Sequence, residues 1–208
     1  MATAVEPQQQ RIAALKEAIE NFAQQEQSTF FDAQWEEEKA KVRSRALKIL
    51  DHRPRSVGEL SDRLRDLDFP AALVDEVIAD LRRVGLLDDE EFARQWVRQR
   101  HMAKGKSRAV LRQELREKKV PADAAEQALS LIDDEDESAV ATRLAQKKAA
   151  GVKKPPEDYQ EYTKYLRRIV GVLARRGYSQ SLALSVARTC LDQRIEELGA
   201  TPGNYEHS

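Results

Sequence analysis

The side chains with the greatest capacity for chemistry are basic, and they are concentrated in one segment. Between residues 92 and 121, ten side chains are basic and two are acidic. This density suits a polyanion or an acidic protein groove, because each phosphate contact releases counterions and makes affinity depend on salt. A solvated face that only keeps the chain soluble is the simpler alternative. We expect the binding surface to include Arg94, Arg98, Arg100, Lys104, Lys106, Arg108, Arg112, Arg116, Lys118 and Lys119.

A second basic segment follows, although the formal net charge of the chain is only −1. Residues 143–194 carry twelve basic and four acidic side chains, whereas residues 1–41 carry four basic and eight acidic ones. Charge is therefore segregated along the chain, and its distribution says more about partners than its sum does. From this segment we expect Arg167, Arg168, Arg175 and Arg176 to join the binding surface, with help from Lys147 and Lys148.

Residue patterns for catalysis or metal binding are weak. The three histidines, at positions 52, 101 and 207, are too scattered for a zinc site or a histidine-based catalytic pair. Gly105-Lys106-Ser107 matches the end of a phosphate-binding loop, but Arg100 stands where that motif needs a glycine. The acidic runs lack the glycine turn of a calcium loop. We predict a protein that is not an enzyme, with no catalytic residue, metal or cofactor.

The remaining composition suits a cytoplasmic protein. No segment approaches the roughly 20 apolar residues that a membrane span requires, and the N-terminal residues lack the pattern of a secretory signal. Cys190 is the single cysteine, so no disulfide framework is possible, and its spacing suggests a small buried hydrophobic residue.

One hydrophobic pattern occurs three times. Seven apolar positions shift by 51 residues from the first copy to the second and by 58 from the second to the third. Such constant offsets are typical of tandem helical repeats. Phe92 and Trp96 could stack on bases, but their spacing favours the repeat core. The three copies begin at Leu60, Leu111 and Ile169 and end at Leu81, Ile132 and Cys190.

The pattern predicts an all-α fold, as an elongated, curved array of three tandem three-helix repeats behind an N-terminal helical or partly disordered extension. One helix is expected from Asp32 to Leu50, and Ser56 and Gly85 are expected to cap helices. The predicted divisions are an acidic, Gln-rich extension at 1–41, repeat 1 at 42–87, the basic repeat 2 at 88–132, repeat 3 at 133–198 with an inserted loop at 151–158, and a flexible tail at 199–208.

Three stretches resemble the RecX family, which regulates the bacterial recombinase RecA. They are GLLDDEEFARQWVRQR at 85–100, GKSRAVLRQELREKKVP at 105–121 and VLARRGYS at 172–179. The resemblance covers residues 42–198 in order. The chain departs from the family in its N-terminal extension, in the 151–158 loop, and at Lys119, where family members commonly carry glycine.

The resemblance implies a monomeric cytoplasmic protein that binds RecA and the RecA–DNA filament. It would inhibit filament growth, ATP hydrolysis, strand exchange and RecA-stimulated repressor cleavage, and so regulate recombinational DNA repair and the SOS response. Weak direct contact with DNA is also implied by some family members, and no membrane partner is. The alternative from the residues alone is a DNA-binding helical module that acts without RecA, with strongly salt-dependent duplex binding.

Overall fold

The computed structural model describes residues 33–202, and every regular element in that range is an α-helix. The predicted all-α class is therefore confirmed. The predictions for residues 1–32 and 203–208 lie outside the described residues. The helices are α1 (33–52), α2 (Val57–Arg65), α3 (Ala71–Arg83), α4 (Asp89–Lys104), α5 (Arg108–Glu117), α6 (Ala122–Leu129), α7 (Asp134–Ala149), α8 (Tyr159–Ala174) and α9 (Gln180–Glu197).

Side-chain caps explain where most of these helices begin. Asp88 accepts hydrogen bonds from the backbone amides of Glu90 and Glu91, at 2.9 and 3.0 Å, and four acidic residues occupy the first turn of α7. Caps satisfy amides that have no partner within the helix, and negative charge there complements the helix dipole. The predicted cap at Ser56 is confirmed, since its hydroxyl accepts from the Glu59 amide at 3.0 Å. Further caps are Ser107, Asp133, Asp158 and Ser179.

One compact unit contains residues 33–54 and 60–86, which include α1, α3 and most of α2. Its buried core includes Val42, Ala46, Leu60, Leu64 and Val77. The helix α1 continues without interruption across residue 41, where the predicted extension ends. The helix therefore joins the N-terminal extension to the first repeat.

Ion pairs hold the first turns of α1 against α3 in this unit. The Lys39 ammonium lies 2.9 Å from Glu76 and 3.0 Å from Asp80, and the Trp35 indole N–H donates to Glu76 at 3.1 Å. The hydrogen bonds that Lys39 donates to Glu76 and Asp80 raise the pKa of its ammonium, and the one to Asp80 lowers the pKa of that carboxyl. Residues before position 42 thus contribute to the packing of the first repeat.

The other compact unit contains residues 55–59 and 87–202, with two groups of three helices. In one group α4 packs on α5 and α6, and in the other α7 packs on α8 and α9. Each group has its own cluster of buried apolar residues, centred on Leu111 and Leu115 in the first and on Ile169 and Leu173 in the second. These buried positions belong to the hydrophobic pattern from which the repeats were predicted.

The 58-residue offset between the second and third copies of the pattern has a second cause, which the sequence alone did not reveal. Residues 150–158 form a non-helical connection at the predicted loop, whereas α4 and α5 are joined by residues 105–107. In addition α8 has 16 residues and its counterpart α5 has 10. The third repeat is therefore longer both before and within its middle helix.

A left-handed residue recurs at the same place in all three repeats. Asp68, Lys119 and Gly177 lie between the second and third helices of their repeats, with φ of 60°, 56° and 82°. Glycine adopts this conformation without a Cβ penalty. The glycine that the resemblance leads us to expect at the position of Lys119 would therefore adopt this turn without strain.

Gly177 has an additional constraint, because the chain of the second repeat lies against it. A Cβ at this position would lie 2.2 Å from Val110 Cγ2 and 2.8 Å from Ser107 Oγ. The Ser107 amide donates to the carbonyl of Arg176 at 3.0 Å. The backbone is thus in close contact between the second and third repeats.

We predict that Gly177→Ala lowers the free energy of unfolding by about 2 to 5 kcal/mol, from left-handed strain of about 1 to 2 kcal/mol and overpacking of about 1 to 3 kcal/mol. Gly199→Ala is the matched control, because Gly199 has the same φ of 82° and a Cβ added there would meet no atom of residues 33–202 within 4 Å. Gly199→Ala should lower the free energy of unfolding only by the contribution from left-handed strain. Urea denaturation of both variants tests this, and equal losses would contradict the close contact.

Candidate partner-binding surface

The fourteen predicted cations do not form one free surface. Some pair with carboxylates of the same chain, and most of the others are exposed to solvent. The paired group is Arg94, Arg100, Lys106, Arg108, Arg112 and Lys118. A basic side chain that neutralises an internal carboxylate is less available to a partner, so the division matters for function.

The ring of Trp96 on α4 is in cation–π contact with two of these cations. The Arg100 guanidinium is 3.6 Å from the ring centroid and the Lys118 ammonium is 4.3 Å from it. Phe92 stacks beside the ring at 5.6 Å between centroids, and the indole N–H donates to Glu114 at 2.9 Å. Cation–π contacts of this kind contribute about 0.5 to 2 kcal/mol. Trp96 packs against the core as expected and is not presented to bases.

Glu114 on α5 forms ion pairs with two cations close to this ring. Its side chain is only 16% exposed, and it pairs with Lys106 and, at 3.6 Å, with Arg100. Lys118 turns instead to Glu59, at 2.8 Å, and the Ser56 hydroxyl donates to the Lys118 carbonyl. Three of the predicted binding cations are therefore part of the internal structure.

Arg108 joins the second repeat to the third. Its Nε donates to Glu137 at 2.8 Å, its backbone amide donates to the same carboxylate at 2.9 Å, and its Nη2 reaches Asp134. The hydrogen bonds that the guanidinium donates to Glu137 and Asp134 raise its pKa. Arg176 of the third repeat bonds back to the second repeat, with its Nε donating to the carbonyl of Lys104 at 3.2 Å. Both arginines fix the contact between neighbouring repeats.

Two further cations pair within the second repeat. Arg112 forms a two-bond fork with Glu126, at 2.6 and 2.8 Å, and this hydrogen bonding lowers the pKa of that carboxyl. Arg94 pairs with Glu91 at 3.1 Å on the same helix. Hydrogen bonds from Gln95 and then Arg94 lower the pKa of Glu91. These pairs are solvent-exposed, so a partner could compete for them.

The exposed cations fall into two sets. On the second repeat Arg98, Lys104 and Arg116 form no ion pair with any described residue, and Lys119 is exposed in its left-handed turn. On the third repeat four of the exposed cations without an ion pair to a described residue lie on α8 or directly after it. Lys164 was not among the predicted binding residues. It lies three and four residues before Arg167 and Arg168, a spacing that places all three on one face of a helix. The α8 set is Lys164, Arg167, Arg168 and Arg175.

The described residues contain no cluster of His, Cys, Asp and Glu that could hold a metal ion. His101 is buried, and its Nδ1 lies 2.9 Å from the Lys106 carbonyl, so that nitrogen carries the proton. Cys190 is buried as predicted, and burial raises the pKa of its thiol.

No helix within residues 33–202 is long and apolar enough to cross a membrane.

Tandem three-helix groups that carry a divided basic surface define a class of all-helical repeat proteins. Family models described as the first and second three-helix domains of RecX match residues 43–81 and 88–129. A protein named Regulatory protein RecX from Corynebacterium efficiens is 46% identical over 197 residues, covering 93% of this chain and 94% of the relative. The chain belongs to the RecX family.

Other relatives support the same assignment. Regulatory protein RecX of Mycolicibacterium vanbaalenii is 39% identical and covers 70% of this chain and 79% of its own length. The crystal structure of RecX from Lactobacillus salivarius matches with a TM-score of 0.60 and 26% identity, over 78% of this chain and 97% of that one. Family and fold therefore agree.

We predict that Glu114→Gln lowers the free energy of unfolding by about 1 to 3 kcal/mol, because it leaves partly buried cations without their carboxylate. Glu117→Gln is the control on the same helix, since Glu117 is exposed and accepts only from the Gln113 amide. It should change stability by less than about 0.5 kcal/mol. Chemical denaturation of both variants measures these changes. A Glu114→Gln protein with unchanged stability would contradict a stabilising role for the ion pairs of Glu114.

Proposed function

We propose that this chain binds RecA and its nucleoprotein filament and acts mainly as an inhibitor, without catalysing a reaction itself. It would restrain filament growth, ATP hydrolysis, strand exchange and RecA-stimulated repressor cleavage, and so regulate recombinational DNA repair and the SOS response. The observation that carries the proposal is the 46% identity to a Regulatory protein RecX over nearly the full length of both chains.

A groove on the second repeat has the chemistry that a protein partner requires. It has a volume of about 400 Å³ and lies between α4 and the turn from α6 to α7. Met102 is 58% exposed and Leu131 is 63% exposed there, over the buried side chains of Val97 and Ile132. Apolar side chains at the centre of a polar rim are typical of protein–protein contacts.

Charged residues at the rim of this groove could orient a bound partner. Arg98 is exposed with no ion pair to a described residue, and Arg94 is held by Glu91, which also lines the groove. An apolar side chain of RecA, flanked by acidic residues, would cover Leu131 and Met102 and pair with Arg98. Of the predicted binding cations, Arg94 and Arg98 are therefore the ones that we assign to the RecA contact.

The fixed contact between the second and third repeats strengthens such binding. Arg108 and Arg176 each join the two repeats with hydrogen bonds, so a partner would meet a surface that is already ordered. Preorganisation lowers the entropy that association costs, and several modest contacts on one chain combine through effective concentration. Inhibition of a filament then requires no active site.

We predict that Leu131→Glu raises the concentration needed for half-inhibition of RecA's single-strand-dependent ATP hydrolysis by about tenfold or more, because it places a charge at the centre of the contact. Arg98→Glu should act in the same direction. The measurement is a titration of RecA and single-stranded DNA with the full chain at substoichiometric ratios.

Leu184→Glu is the matched control, since Leu184 is 40% exposed on α9 and does not line the groove. It should inhibit like the parent chain. If the parent fails to inhibit RecA, the proposed function is wrong. If the parent inhibits and the Leu131 and Leu184 variants behave alike, the groove is not the RecA contact.

A further inference from the structure

The solvent face of α8 is positively charged from Lys164 to the C-terminal end of the helix. Its exposed or half-exposed positions follow the helical period at Lys164, Arg167, Arg168, Gly171 and Arg175. No acidic residue interrupts this series, which we call the α8 stripe. With a rise of about 1.5 Å per residue, the stripe extends for roughly 16 Å.

The acidic residue of α8 forms no ion pair with these cations. Glu161 accepts from the Tyr165 hydroxyl at 2.7 Å and from the Glu157 amide at 3.0 Å. Those hydrogen bonds lower the pKa of Glu161, and the charge of Lys164 contributes to the lowering. None of the four stripe cations forms an ion pair with a residue in the described range 33–202, in contrast to most cations of the second repeat.

This arrangement does not stabilise the helix. Like charges three or four residues apart, as at Lys164, Arg167 and Arg168, destabilise a helix by about 0.2 to 0.5 kcal/mol for each pair. Lys147 and Lys148 complement the C-terminal dipole of α7, but the first three stripe cations lie within α8, where the dipole offers no such benefit. An external anion would remove the repulsion.

A cleft beside the stripe has room for one anionic group. Its volume is about 90 Å³, and Lys148 of α7 and Arg168 of α8 line it together with Tyr165. The Arg168 guanidinium is 6.0 Å from the centroid of the Tyr165 ring. No carboxylate lines the cleft. Arginine presents a planar fork that matches phosphate oxygens, and lysine adds a point charge.

Gly171 leaves the backbone bare in the middle of the stripe. A Cβ there would meet only Arg175 Nη1, at 3.4 Å, so no packing neighbour excludes a side chain. Glycine within a helix costs about 1 kcal/mol relative to alanine. The missing side chain permits a ligand backbone to approach the helix closely between Arg168 and Arg175.

We infer that the α8 stripe and Lys148 form a track for the phosphodiester backbone of nucleic acid. A protein partner fits this face less well, because the stripe has no exposed large apolar side chain such as those in the groove on α4. The inference deepens the proposed function, since phosphate contacts would hold the chain on the DNA of a filament while α4 meets RecA.

The test is direct binding of the full chain to a fluorescently labelled single strand and to the matching duplex, without RecA, over a salt series. The variant K164Q/R167Q/R168Q should bind at least about tenfold more weakly than the parent. Each lost phosphate contact removes about 0.7 to 0.9 from the slope of log affinity against log salt, so the slope should fall by about 2 to 3. Comparing the two probes identifies the preferred form of nucleic acid.

The charge-matched control is R45Q/K48Q/R82Q, which removes three exposed cations from the other compact unit. Its salt slope should equal that of the parent. Gly171→Gln keeps every charge and should weaken binding several-fold at an unchanged slope. Thermal denaturation of each variant verifies that the fold is intact.

The inference is overturned if the parent binds neither nucleic acid, or if the stripe variant and its control share one affinity and one slope. Its failure is distinct from failure of the proposed function. Leu131→Glu should lose inhibition of RecA and retain DNA binding, whereas absent DNA binding alongside intact inhibition would leave only the protein contact.

Discussion

Neutralisation of positive charge inside the protein is the constraint on which the rest of the surface depends. Glu114 draws two basic side chains toward Trp96, and Glu137 holds Arg108 at the junction of the second and third repeats. A carboxylate that is partly withdrawn from water needs such partners, because its desolvation is otherwise uncompensated. The cations that remain for partners are those that the internal carboxylates leave over.

This division separates two surfaces with different chemistry. Near Arg98 an apolar groove accompanies the charge, which suits a folded protein surface. Along the α8 stripe the charge is continuous and no large apolar side chain is exposed, which suits a chain of phosphates. Both surfaces lie on the same compact unit, and the hydrogen bonds of Arg108 and Arg176 fix the repeats that carry them. A protein contact and a phosphate contact could therefore be made together.

Helical periodicity was sufficient to predict the class of fold, the core positions and the caps at Ser56 and Gly85, because these depend on neighbours within one helix or turn. The free binding surface could not be predicted by counting charges. Lys118 pairs with Glu59 across 59 residues and Arg108 with Glu137 across 29, and such partners become visible only when the chain is folded. The extra turns of α8 were also hidden, since a constant offset does not locate an insertion.

The left-handed turn shared by Asp68, Lys119 and Gly177 is occupied by three different residue types. The packing of each repeat, rather than the residue at the turn, therefore sets the path of the chain there. Because glycine adopts this conformation without a Cβ penalty, the first two repeats carry a local backbone strain that the third does not.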